Sequence, residues 1–98
     1  MLILKPSKTH GVGVFTTEGI KKNMQPPLFE KNDWKRKKRC VGYQRRYCTS
    51  KWAPMNYHRM SIGWYLNHSN TPNISSEMKG LRYIKAGEEL TIDYATLE

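Results

Sequence analysis

The stretch Trp64-Tyr65-Leu66-Asn67-His68-Ser69-Asn70-Thr71-Pro72-Asn73 decides the reading of this chain. The apolar run from Ile62 to Leu66 leads into it, so a polar cluster stands where a short buried element ends. Such a junction lets a fold hold amide and imidazole groups rigidly against a ligand. An ordinary strand-to-turn exit uses the same residue types, with Asn67 and Ser69 bonding local backbone. The decision between the two comes from the flanking segments.

Towards the C-terminus, Asn73 to Glu77 alternates as a strand does, and Lys79-Gly80 turns. Leu81-Arg82-Tyr83-Ile84 reads as another strand, and Ala86-Gly87-Glu88-Glu89 as a polar turn. Leu90-Thr91-Ile92-Asp93-Tyr94 is a last alternating strand. Towards the N-terminus, Leu2-Ile3-Leu4 is an apolar strand closed by Lys5-Pro6-Ser7. In Gly11-Val12-Gly13-Val14 two glycines alternate with β-branched residues, which suits a strand edge where something approaches the backbone closely. A third glycine and a following helix are missing, which excludes a dinucleotide-binding fingerprint. Pro26-Pro27 keeps the next segment extended. The fold class is therefore mainly β, without heptads, internal repeats or long amphipathic helices.

The 98 residues make one domain, 1–98, which buries about 60–70% of its unfolded surface. No run approaches the roughly 18 apolar residues of a membrane span, and no hydrophobic leader follows Met1. The expectation is a soluble, intracellular protein with no membrane partner. Cys40 and Cys48 are too few for a disulfide framework and too far apart for a zinc knuckle, so no metal is expected. His58 reads as a packed or capping histidine.

Charge is unevenly spread. The chain carries 17 Lys and Arg against 8 Asp and Glu, a net +9. Between Lys31 and Lys51 nine cations face only Asp33, so nearly all the excess lies in a basic insert at about 31–53. Trp34, Tyr43, Tyr47 and Trp52 are interleaved with it. Cations with interspersed aromatics can follow a phosphate backbone and stack on bases. Lys35, Arg36, Lys37, Lys38 and Arg39 are the candidate contacts for nucleic acid or another acidic partner. A solvated insertion anchored by its aromatics has the same composition.

Gly11-x-Gly13, Asn67-His68-Ser69-x-x-Pro72-Asn73 and Gly87-Glu88-Glu89-Leu90-Thr91-Ile92-Asp93-Tyr94 together resemble the SET domain of protein lysine methyltransferases. The resemblance covers nearly the whole chain. It implies a fold of small twisted β-sheets in which the C-terminal segment threads a loop like a pseudoknot, a rare topology. It also implies S-adenosylmethionine as cofactor, S-adenosylhomocysteine as product, and a protein or peptide lysine as substrate. The cofactor is expected against the backbone of Gly11, Val12 and Gly13, with Asn67 and His68 contacting it. Tyr94 falls on the family's active-site tyrosine, whose hydroxyl orients the attacking amine and carries partial negative charge toward the methyl.

The implied reaction is an in-line displacement, to which alignment contributes about 7–11 kcal/mol. An aromatic channel beside a sulfonium keeps the lysine amine neutral. Tyr65, Tyr83 and Tyr57 are the candidate channel residues. From Glu77 to Glu98, five acids against Lys79, Arg82 and Lys85 make a fitting approach for a cationic substrate. Trp64-Tyr65 stands where the family usually has Arg-Phe, Asn70 stands where many members have Cys, and no cysteine-rich segment follows Tyr94. A homodimer partner is one way for so compact a chain to complete its site. Two other expectations use the same fold without catalysis: a nucleic-acid-associated module and an interaction domain.

Overall fold

Alternation of small, β-branched and aromatic residues at 12–16 favours an extended segment, and glycine before it favours a tight reversal. The computed structural model, which describes residues 1–30, 34–36, 52–54 and 59–97, shows both. Strand β1 (Leu2–Pro6) pairs antiparallel with β2 (Val12–Thr16), Leu2 opposite Thr16 and Pro6 opposite Val12. The connecting loop closes through the Ser7 N–H on the Gly11 carbonyl at 2.7 Å, with Gly11 at φ +50°. Pro6, which has no N–H to give, lies on the sheet's outermost strand, where its loss is tolerated.

The short strands β5 (Asn67–His68) and β6 (Glu89–Ile92) complete this sheet in the order β1-β2-β6-β5. β6 runs antiparallel to β2, with Val14 opposite Leu90, and parallel to β5, with Asn67 opposite Thr91. A strand close to the C-terminus is thus inserted between the N-terminal hairpin and the Asn-His stretch. Two three-residue strands, β3 (Trp34–Arg36) and β4 (Trp52–Pro54), pair antiparallel in a second sheet. They lie within and at the end of the basic insert, with Lys35 and Arg36 on β3. Lys37, Lys38, Arg39, Cys40, Cys48, Tyr57 and His58 lie outside the described residues.

Val14, Ile20, Leu28, Leu66, Ile74, Ile84, Leu90 and Ile92 form the buried core. Leu90 and Ile92 are two apart on one face of β6, and the intervening residues are only partly covered, the period-two pattern of a half-buried strand. A 3-10 helix, Ile62–Tyr65, brings the apolar lead-in against this core. Its Gly63 donates its N–H to the Leu28 carbonyl at 2.7 Å. An added Cβ there would sit 2.5 Å from the Phe29 ring and 2.9 Å from the Leu28 oxygen, so the contact needs glycine.

Three local expectations need correction. β2 is an interior strand, paired on both sides, and what approaches its glycine is a side chain of the protein itself. The segments 73–77 and 81–84 are not strands: each is reduced to isolated bridges, Ile74 with Gly80 and Ile92, and Ile84 with Ile20. Alternation did not become a ladder because a tight reversal intervenes. Ser75 and Lys79 close it backbone to backbone at 2.8 Å, and Met78 takes a φ of +65°. Third, the final strand ends at Ile92, and Tyr94–Leu97 forms a second 3-10 helix. Asp93 caps it, its Oδ1 accepting from the Ala95 N–H at 3.0 Å. No helix among the described residues is long and apolar enough to cross a membrane.

Candidate functional site around Asn67, His68 and Tyr94

Parallel pairing of β5 with β6 brings the Asn-His stretch beside the C-terminal Asp-Tyr, although 26 residues separate His68 from Tyr94. Asn67 is 6% exposed and sits where β5 faces the hairpin. Its Nδ2 donates to the carbonyls of His10 and Val12, at 3.0 and 3.2 Å, and to Glu89 Oε2 at 2.8 Å. The Gly-x-Gly segment is thereby tied by its backbone to β5.

The carboxylate of Glu89 lies over Gly13, where an added Cβ would overlap it and approach Asn67 Nδ2 to 3.1 Å. Ser7 Oγ donates to Glu89 Oε1 at 2.8 Å and lies 3.0 Å from Oε2. The absence of a Cβ at Gly13 is therefore used first by Glu89. Glu89, expected in a polar turn, is the first residue of β6, facing away from Leu90 and Ile92. The signal was available in the alternation of 89–92, which puts Glu89 opposite the core face.

Asn73, 4% exposed, replaces a strand neighbour for β6. Its Nδ2 donates to the Glu89 carbonyl and its Oδ1 accepts from the Thr91 N–H, both at 2.8 Å. The role of the second asparagine in the motif is thus to satisfy two backbone groups of the inserted strand.

His68 is more exposed. Its Nδ1 accepts from the Tyr94 N–H at 3.1 Å, so the ring proton sits on Nε2, which faces Asn70 Oδ1 at 3.0 Å. Asp93 Oδ1 lies 3.7 Å from the same Nδ1. The rings of His68 and Tyr94 lie 5.1 Å apart at 49°. Tyr94 is half-buried, and its hydroxyl donates to the Leu66 carbonyl at 2.6 Å. Burial holds its pKa above the ordinary tyrosine value, so at neutral pH the group is a phenol.

The structure therefore brings Gly11, Val12, Gly13, Asn67, His68 and Tyr94 into one connected cluster. Tyr65 packs against the core beside it. Tyr83 is not gathered in: its ring lies over Gly19 and remains 55% exposed. Among the described residues no group of His, Cys, Asp and Glu has the makings of a metal site.

Residues 11–95 match the SET domain family. The chain belongs to the SET-domain family. Its members are typically protein lysine methyltransferases. Among solved structures, this SET domain resembles a Plasmodium falciparum protein provisionally described as a histone methyltransferase, with a TM-score of 0.62 and 24% identity. The match covers 96% of each chain, and at that identity it speaks for the fold. No curated protein matches the sequence. In this SET domain the cluster occupies the ground common to all three motifs, where the N-terminal hairpin, β5 and the C-terminal strand meet.

Proposed function

We propose that this SET domain is an S-adenosylmethionine-dependent protein lysine N-methyltransferase in which Tyr94 is the catalytic residue. The observation that carries the reading is the Tyr94 hydroxyl, half-buried and committed to the Leu66 carbonyl at 2.6 Å, next to Asn67 and His68. With its proton given to Leu66, the phenolic oxygen keeps its lone pairs to accept an N–H from a lysine amine and orient it. The raised pKa maintains that donor-acceptor arrangement at neutral pH.

The groups around Asn67 also suit the cofactor. They are carbonyl and amide oxygens and one carboxylate, and among the described residues no Lys or Arg pairs with Glu89 or Asn67. Acceptor-rich surroundings favour a ligand bearing sulfonium and ammonium cations. The residues that would hold it are Gly11, Val12 and Gly13 through their backbone, with Asn67 and His68. When bound, the cofactor supplies an electrophilic methyl group. Tyr65 would line the approach of the lysine.

Calorimetric titration with S-adenosylmethionine and S-adenosylhomocysteine, in the wild type and Asn67→Ala, tests the cofactor site. Binding lost in the variant is the expected result, and no binding by folded wild type overturns the reading. Tyr94→Phe should keep cofactor affinity while methyl transfer falls about 10²-fold or more, as expected when an aligning contact goes. Undiminished transfer would remove Tyr94 from the mechanism.

A second reading draws on the nine cations between Lys31 and Lys51, facing only Asp33. Such a segment would dock the enzyme on a nucleic-acid-bearing substrate without altering the chemistry.

A further inference from the structure

A side-chain amide is nearly symmetric in shape and opposite in polarity at its two ends, so something must set which end faces a ligand. At Asn67 three oxygens surround Nδ2: the His10 carbonyl, the Val12 carbonyl and Glu89 Oε2, the carboxylate being nearest at 2.8 Å. Rotating the amide by half a turn would place its oxygen against all three, one of them charged. The orientation is therefore set by acceptors, and Glu89 is the strongest of them.

Glu89 is itself held. Both carboxylate oxygens lie within 3.0 Å of Ser7 Oγ, and the same Ser7 oxygen accepts from the Thr9 N–H at 3.0 Å, ordering the loop that carries His10 and Gly11. Room for the carboxylate comes from Gly13, whose missing Cβ it fills. Among the described residues Glu89 has no cationic partner, so neutral dipoles alone balance it. Asn67 Oδ1 takes no donor from the described residues. No buried side-chain oxygen or nitrogen among them lacks a partner, so this oxygen reaches solvent.

We propose that Glu89, braced by Ser7, is a positioning residue that turns the Asn67 amide so that its oxygen, not its N–H, faces the bound cofactor. The inference rests on the S-adenosylmethionine reading above and adds to it two residues, Glu89 and Ser7, that act through Asn67. An oxygen presented in this way accepts from an ammonium group; an NH₂ in its place would repel one.

Glu89→Gln keeps the shape and removes the charge, and its own NH₂ can then meet a flipped Asn67 oxygen. If the competent orientation falls to roughly a tenth of the population, apparent affinity weakens about tenfold. Two readouts are compared: calorimetric affinity for S-adenosylhomocysteine, and the Asn67 side-chain NH₂ resonances, identified by their loss in Asn67→Ala. The expected result is weaker binding by folded Glu89→Gln, with the Asn67 NH₂ pair shifted and faster to exchange with water. A merely structural role would lower the melting temperature and leave those resonances in place. Should Glu89→Gln not fold, Ser7→Ala, which frees the carboxylate without removing it, decides on the same readouts. Wild-type affinity and unmoved resonances in whichever variant folds overturn the inference while leaving the cofactor reading intact. Wild type that binds no cofactor overturns both.

Discussion

Tyr94 shows how one residue's surroundings define what it can do. Its phenol is raised by burial, so the folded protein prefers the protonated form. The stabilisation this gives is present below the ordinary tyrosine pKa and lost as pH rises through the raised value. Absorbance titration at alkaline pH should show one tyrosine ionising late, and that step should vanish in Tyr94→Phe. The same substitution leaves the Leu66 carbonyl without its donor and should lower stability by about 1 kcal/mol. Glu88 has the opposite sign. The Arg82 guanidinium at 2.9 Å, then the Lys85 N–H, hold its carboxyl below the usual range. Its contribution exists above the ordinary carboxylate pKa and fades as pH falls through the lowered one. Because Arg82 is well exposed, salt should erase most of that contribution. At this scale Asn67, His68 and Tyr94 were legible because motif spacing carries them. Glu89 was not, since Gly-Glu-Glu has the composition of a turn, and only the strand pairing shows that its second acid faces Gly13.

At the scale of elements, alternation proved a weaker guide than side-chain bonding. Residues 73–77 alternate as well as 89–92 do, yet only the latter form a strand, because β6 finds β2 on one side and β5 on the other. Beyond that, Asn73 supplies by side chain what a further strand would supply by backbone, satisfying the Glu89 carbonyl and the Thr91 N–H. Asn73→Ala should therefore cost far more than an exposed asparagine would. Two inward backbone groups lose their partners, at roughly 1–3 kcal/mol each. Urea unfolding reads the loss directly, and a cost below about 0.5 kcal/mol, the level of an ordinary surface change, would show that β6 does not depend on this side chain. Gly63 makes the complementary point for the 3-10 helix. Gly63→Ala drives a methyl into the Phe29 ring and the Leu28 carbonyl, and the carbonyl cannot swing aside as a flexible side chain can. An overpacking cost of about 1–3 kcal/mol is expected in the same assay.

For the whole molecule, insertion of β6 makes the first and last thirds of the chain interdependent. In the sheet β6 stands between β2 and β5, with the Asn67 side chain reaching across to Val12, and the candidate site lies on that junction, so fold and site should be lost together. That relation was foreshadowed by three motifs far apart in sequence, while the pairing of β6 between β2 and β5 required the structure. Charge obeys a different geography. Nearly all of the net +9 lies in the insert that carries β3 and β4, whereas the cluster around Asn67 and Tyr94 offers acceptors and acids. If the insert contacts nucleic acid through Lys35, Arg36, Lys37, Lys38 and Arg39, five phosphates are neutralised. The logarithm of affinity for duplex DNA should then fall with log salt at a slope of about −4.5, or about 500-fold between 50 and 200 mM. Replacing Lys37, Lys38 and Arg39 with Ala should reduce that slope to about −1.8 while cofactor affinity stays unchanged, because the acceptors around Asn67 are supplied by His10, Val12 and Glu89. A slope that ignores the substitutions would mean that the charge is simply solvated. Loss of cofactor affinity alongside would mean that insert and site are coupled.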